Sequence, residues 1–274
     1  MGLLLLKASR PVFWLVQPLM FLGGMVLSDA GSSWLSVLQL VLLSFPYCLF
    51  LYGINDVYDY ASNRLNPRKK PVEGIVAAPK HHAAIKKSAF VAAALLLLSS
   101  IFTLNLLNIV AMILLLVFSY AYSAPPLRLK VRPPLDSFSN GIFYVFAPFL
   151  LGFSFGGAFA DVPLVSYLVT LCAMGTHSLS TILDYRFDKK AGDRTFAVVF
   201  GKRTAAITAF LAYIATFLFG GIPSVIVRAY LLFVTAIAAG LFIFPSEKLT
   251  GYLAKALFVG FLITVITGLV MVIF

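Results

Sequence analysis

Charge is what this sequence has least of. Only 11% of its 274 residues are charged, and acids are the scarcer sign, ten Asp and Glu against 21 Lys and Arg. With 61% hydrophobic residues and a mean hydropathy of +0.98, the chain has too little polar surface for a soluble domain of its size. Cysteine is nearly absent. Cys48 and Cys172 lie inside apolar segments without CxxC spacing, which argues for buried small side chains rather than a disulfide framework or a thiolate metal centre. A basic n-region and a small-residue cleavage site are both missing at the N-terminus, so no signal peptide is expected there. Leu6 stands where a myristoylation signal has Ser or Thr.

The net charge of +11 invites a nucleic-acid reading, but the distribution of the bases excludes it. They fall in short gaps between apolar runs, where basic residues set orientation in a membrane. The expected partner is therefore the lipid bilayer. A membrane helix needs about 20 mainly apolar residues. Nine such windows are found, near Pro11–Leu27, Trp34–Tyr52, Ala83–Leu104, Leu106–Tyr122, Leu135–Phe155, Pro163–Leu183, Thr204–Phe219, Ala229–Phe244 and Tyr252–Phe274. The third and fourth are separated only by a polar break around Asn105 and Asn108, so one long kinked segment would also fit. With nine spans, 20 of the 21 Lys and Arg lie at one membrane face and only Arg228 at the other. That asymmetry predicts a cytoplasmic N-terminus and a C-terminus on the opposite side.

What the acids do is more telling than how few they are. One cluster, Asn55-Asp56 with Asp59 and Asn63, follows the second span, and its i, i+4, i+8 spacing places Asn55, Asp59 and Asn63 along one helix edge. Alone, it reads equally well as a solvated loop. A second cluster, Asp184 and Asp188 with Asp193 beyond, follows the sixth span at the corresponding place. The fold class expected is thus an all-α membrane protein, a bundle of nine helices forming a single domain over residues 1–274. Within it, repeat one covers about 11–123, repeat two about 135–244, and an extra helix about 252–274. Repeats of this kind place shared sites at their interface.

An acid at mid-membrane costs roughly 2.5–3.5 kcal/mol on insertion scales, a cost largely avoided at a helix mouth. If the bundle brings both mouths together, the carboxylates raise one another's pKa until a cation relieves them. Mg²⁺ typically takes one or two carboxylates and completes its shell with water and phosphate oxygens. Arg68, Lys69, Lys70, Arg128, Lys130 and Arg194 are available to neutralise further phosphate charge. A diphosphate at the mouth of an apolar bundle implies an isoprenoid tail between the helices. The 26 Phe and 12 Tyr include rings able to stabilise a carbocation, although most must be packing residues.

Asn55-Asp56-x-x-Asp59-x-x-x-Asn63 resembles the NDxxDxxxD motif of the UbiA superfamily of intramembrane prenyltransferases. Asp184-x-x-x-Asp188 resembles that family's second motif, and Tyr122-Ser123-Ala124-Pro125-Pro126-Leu127-Arg128-Leu129-Lys130 its cytoplasmic loop. The resemblance, which includes the Arg10-Pro11 start of the first span, covers nearly the whole chain. It implies a helical bundle with a central cavity and a Mg²⁺-dependent transfer of a polyprenyl group from a prenyl diphosphate, geranylgeranyl or shorter, to a lipophilic acceptor. Carried over, Asn55, Asp56 and Asp59 would serve one metal site and Asp184 and Asp188 the other, with the four acids as the catalytic set. Asn55, Asn63, Arg68, Tyr122, Arg128, Lys130, His177 and Arg194 would bind substrate. The resemblance leans towards the lycopene elongase-like branch, through Asn66-Pro67-Arg68-Lys69 and His177 to Asp184. It implies the cell membrane of a prokaryote.

Asn63 departs from the motif, since a third acid is expected there. Asp193 either supplies that charge or only pairs with Arg194. His177, two turns before Asp184, is read either as a structural hydrogen-bonding residue or as substrate-facing. Asp136, after Pro133-Pro134, is expected to cap the fifth helix. Three rivals stay open. A cation transporter would carry ionisable residues deep in several spans, a CDP-alcohol phosphotransferase would show a DGxxAR core, and a silent isoprenoid-binding relative would tolerate the change at Asn63.

Overall fold

In the computed structural model, which describes residues 1–64 and 75–273, the chain is all-helical, with no strand among the described residues. In chain order the helices are α1 (Gly2–Ala8), α2 (Val16–Leu27), α3 (Trp34–Leu42), α4 (Phe45–Tyr58), α5 (Tyr60–Asn63), α6 (His82–Ile101) and α7 (Leu106–Ser123). There follow α8 (Leu135–Gly141), α9 (Ala147–Phe153), α10 (Leu164–Ala191), α11 (Phe196–Phe200), α12 (Lys202–Phe219), α13 (Val225–Ile243) and α14 (Glu247–Ile273).

Among the described residues, five stretches are long and apolar enough to cross a membrane: Trp34–Tyr58, Pro79–Ile101, Leu106–Ser123, Lys202–Phe219 and Val225–Ile243. A sixth is reached if α1 and the Pro11–Leu27 stretch, bent by 51°, count as one span. The third and fourth expected spans are two helices. Leu104 takes a left-handed φ of 53°, and the Asn105 side chain then caps α7 by accepting the Asn108 N–H at 3.2 Å. The second span starts at a Ser33–Ser36 capping box on α3 and is broken after Leu42, with Pro46 in the first turn of α4. Between α8 and α9 the chain runs as a π-helix over Ile142–Phe146.

The chain packs as two compact units. One comprises Met1–Arg128 with Ala147–Asp161, the other Leu129–Phe146 with Val162–Phe274. The fifth helical stretch divides between the units after Phe146.

In the first unit, α2 meets α9 through glycine. A Cβ on Gly24 would strike the Phe149 carbonyl oxygen, and one on Gly152 the Phe21 carbonyl oxygen. Without a hydrophobic drive between helices in lipid, such close backbone approach is a main source of packing energy. Polar side chains add to it. Asn108 Nδ2 donates to Gln39 Oε1 at 3.1 Å and to Ser154 Oγ at 2.9 Å, all three residues being buried. In the second unit α10 lies against α12 through Gly175, Ala205 and Ala209, small residues that let the Ser178 hydroxyl reach the Ala205 carbonyl at 3.1 Å.

Candidate active site

In the first unit the motif begins inside the last turns of α4. Asp59 ends that helix and α5 carries the chain on to Asn63, with the Asn63 N–H still bonded to the Asp59 carbonyl at 2.8 Å. Asn55 and Asp59 share the expected edge. Asn55 Nδ2 donates to Asp59 Oδ2 at 2.7 Å and to Ser123 Oγ at 3.0 Å. Arg128 Nη2 stands 3.8 Å from Asp59 Oδ1. Asn63 is buried, and its Nδ2 has no hydrogen-bond partner among the described residues. A buried amide donor in that state suits an anionic oxygen better than a cation. Tyr122 sits half-buried in the last turn of α7. Arg68, with Asn66, Pro67, Lys69 and Lys70, lies outside the described residues.

Asp56 has different surroundings. One step round the helix from Asn55, it leaves the shared edge and is fully buried. Its Oδ1 pairs with Arg10 Nη2 at 2.7 Å, and its Oδ2 accepts the Ile75 N–H at 3.2 Å. Arg10 also donates to Asn55 Oδ1 at 3.3 Å and lies over the Tyr52 ring at 4.4 Å. Both Asp56 carboxylate oxygens are thus engaged within the protein. Arg10 and Arg128, which reach these acids, both have left-handed backbones, with φ of 50° and 43°. Non-glycine residues in that conformation concentrate at functional sites.

In the second unit α10 continues eight residues past Leu183, so Asp184 and Asp188 stand one turn apart on a regular helix. Gly192, with φ of 78°, ends it, and the Asp193 N–H closes the turn on the Asp188 carbonyl at 2.9 Å. Asp188 Oδ2 accepts the Thr195 hydroxyl at 2.9 Å. Burial, and then the charge of Asp184, push the Asp188 carboxyl up to about 7. Asp193 pairs with Lys130 at 3.9 Å, whereas Arg194 is exposed. The loop after α7 thus carries Arg128 to the acids of the first unit and Lys130 to those of the second.

His177 lies on α10 with Nδ1 at 3.0 Å from Ser137 Oγ. Asp136 does not cap α8: Pro134 holds the N-cap position without a side-chain bond, and Asp136 lies within the first turn. Its Oδ1 accepts the Ser137 N–H at 2.7 Å and its Oδ2 the Phe196 N–H at 2.8 Å, joining the starts of α8 and α11. Thr195 carries no signal of its own in the sequence, and Ser123 only its place in the loop string after Tyr122. Their roles follow from which side chain each faces.

Among the described residues, no three His, Cys, Asp or Glu side chains gather closely enough to hold a metal by themselves. A Mg²⁺ site does not need three, since one or two carboxylates, with water and phosphate oxygens, complete its shell. The like-charged Asp184 and Asp188, one of them with raised proton affinity, fit that demand.

Residues 18–255 match the UbiA prenyltransferase family. The chain belongs to this family. It is 34% identical over 207 residues to a lycopene elongase/hydratase of Haloarcula japonica, covering 72% of this chain and 67% of that protein. It is also 34% identical over 214 residues to the C(50) beta-cyclic carotenoids biosynthesis protein LbtBC of a Dietzia species, covering 76% of this chain but only 48% of that one. Its fold is shared with a UbiA homologue from Archaeoglobus fulgidus solved with DMAPP and Mg2+, with a TM-score of 0.65 and 21% identity over 96% of this chain and 99% of that one. At that identity the likeness carries the fold and not the ligands. Family membership makes the chain an intramembrane prenyltransferase, and the transporter and phosphotransferase alternatives fall away.

Proposed function

We propose that the protein transfers a prenyl group from a short prenyl diphosphate, geranylgeranyl or shorter, to an isoprenoid alkene of the carotenoid type. The alkene acceptor is supported by the relatives named for lycopene and C50 carotenoid chemistry, and the donor by the solved homologue with DMAPP. The observation that carries the reading is the Asp184–Asp188 pair at the end of α10, where burial and then the Asp184 charge raise the Asp188 carboxyl, a state that a bound cation would relieve.

Asp184 and Asp188 would hold one Mg²⁺, and Asp59 with Asn55 the other. Mg²⁺, when bound, supplies Lewis-acid withdrawal of charge from the departing diphosphate. Asn55 and Ser123 fix the Asp59 carboxylate, while Arg10 and Asp56 hold the turn that presents it. Arg128 and Lys130 offset further diphosphate charge, and the Asn63 amide donates to a diphosphate oxygen. The proposal retains nine spans in two four-helix repeats plus one helix, with the N-terminus in the cytoplasm of a prokaryotic cell.

The test is purified protein in detergent with dimethylallyl or geranylgeranyl diphosphate, Mg²⁺ and lycopene, with products followed by mass spectrometry. A prenylated carotenoid should form and be lost in both Asp59→Ala and Asp188→Ala. Unchanged turnover in both variants would sink the site assignment, and prenylation of other lipids alone would sink the acceptor.

A further inference from the structure

The covered faces of α10 leave one stripe open in its own unit. Gly175, Ser178 and Leu179 are buried towards α12, and Thr181 is buried where it accepts the Ala197 N–H of α11 at 3.0 Å. Thr176, His177, Ser180, Asp184 and Asp188 keep surface, and at about 100° per residue they share about one third of the circumference. Nearer the start of α10 the exposed residues are Leu164, Tyr167 and Leu171, apolar and on the other side. One side therefore has the composition of a lipid face, while the polar stripe leads from the middle of the helix to the diphosphate-binding acids. An ionisable side chain at such depth faces a functional space rather than hydrocarbon.

We infer that His177, oriented by Ser137, is the base that accepts the proton ending the transfer. The inference rests on the alkene-acceptor reading above. The chemistry balances as follows. The allylic C–O bond of the donor breaks, and its electron pair leaves with the diphosphate. A π pair of the acceptor forms the new C–C bond, leaving a tertiary cation on the acceptor. A neighbouring C–H bond then breaks, its electrons close a new double bond, and the proton passes to the imidazole. With Nδ1–H donated to the Ser137 hydroxyl oxygen at 3.0 Å, Nε2 is the basic nitrogen. Water takes up the proton on product release.

Placement favours this residue. His177 lies seven residues before Asp184, about 10 Å along the helix. A base for a cation formed beyond the donor's first carbon belongs below the diphosphate pole, where the carboxylates are not spent on phosphate charge. The other two histidines, His81 and His82, lie at the start of α6 in the other unit.

The experiment compares the full-length protein with His177→Gln, His177→Ala and Ser137→Ala in nanodiscs, using dimethylallyl diphosphate, Mg²⁺ and lycopene. Affinity for dimethylallyl diphosphate, read by calorimetry, should stay unchanged in His177→Gln. Turnover should fall about 100- to 10,000-fold, the usual contribution of a general base. The residual product should shift from one alkene to double-bond isomers and the water-captured alcohol. Added imidazole should restore turnover in His177→Ala, and Ser137→Ala should show a smaller loss with the same product shift. Wild-type turnover and product in His177→Gln would overturn the inference and leave the prenyl-transfer reading standing. Loss of donor binding in every His177 variant, without imidazole rescue, would overturn it too, by showing a structural role. A wild-type protein that binds the donor but never prenylates lycopene would overturn the alkene-acceptor reading and this inference with it.

Discussion

At the scale of single residues, two neighbouring acids in one motif have opposite duties. Asp56 is buried against Arg10, and Asp59 shares an edge with Asn55 under Arg128. Removing one partner of a buried ion pair leaves the other charge uncompensated, at a cost of about 3–5 kcal/mol. Arg10→Ala and Asp56→Ala should therefore each lower the thermal midpoint of the detergent-solubilised protein sharply. The double variant should lose much less than the sum. Asp59→Asn should leave the midpoint nearly unchanged while abolishing Mg²⁺-dependent turnover. Equal destabilisation by Asp59→Asn would refute this division of roles.

Asp188 provides a pH test at the same scale. Its carboxyl rises from 3.8 to about 7 in the folded protein, so the folded state holds this proton more tightly than the unfolded state does. In EDTA, stability from this group is present at low pH and lost as pH rises from about 4 to about 7. Asp188→Asn should remove that slope in thermal melts. With Mg²⁺ present, cation binding must displace the proton, so Mg²⁺ affinity by calorimetry should weaken below about pH 7 and proton release should accompany binding.

Among elements, the contact of α2 with α9 is the one most sensitive to added volume. Gly24 and Gly152 each face a carbonyl of the other helix, and backbone cannot swing aside as a flexible side chain does. Overpacking commonly costs about 1–3 kcal/mol. Gly152→Val should reach or exceed that range and broaden the size-exclusion profile, whereas Gly23→Ala, with open space around its Cβ, should be neutral. The Asn105 cap and Pro46 in the first turn of α4 mark where apolar runs that look continuous become separate helices. The π-helix over Ile142–Phe146 is different in kind. Its residues are as apolar as their neighbours, so no local signal marks it.

For the whole molecule, the charge asymmetry predicts orientation. With nine spans, 20 of the 21 basic residues would lie on one face, which argues for Ala191 in the cytoplasm and Gly221 outside. Single cysteines introduced at those positions in a cysteine-free background should label from opposite sides of intact cells. Labelling of both from one side would remove a span between them. The short loop from Pro125 to Lys130 has a corresponding role, since its two cations serve acids in different units.

The sequence by itself determined the class of protein and the two acidic clusters. Hydrophobic run length, capping residues and i, i+4 spacing are local, and they act before any helix has a neighbour. The UbiA resemblance was legible for the same reason, because its motifs are short strings on single helices. Only tertiary structure decided which acid of the first motif turns inward, because that depends on Arg10, 46 residues away, arriving beside Asp56. It also decided that Asp193 pairs with Lys130 rather than Arg194, and that Asp136 joins α11 to α8. A helix repeat states which residues share a face. The neighbouring helix determines what that face meets.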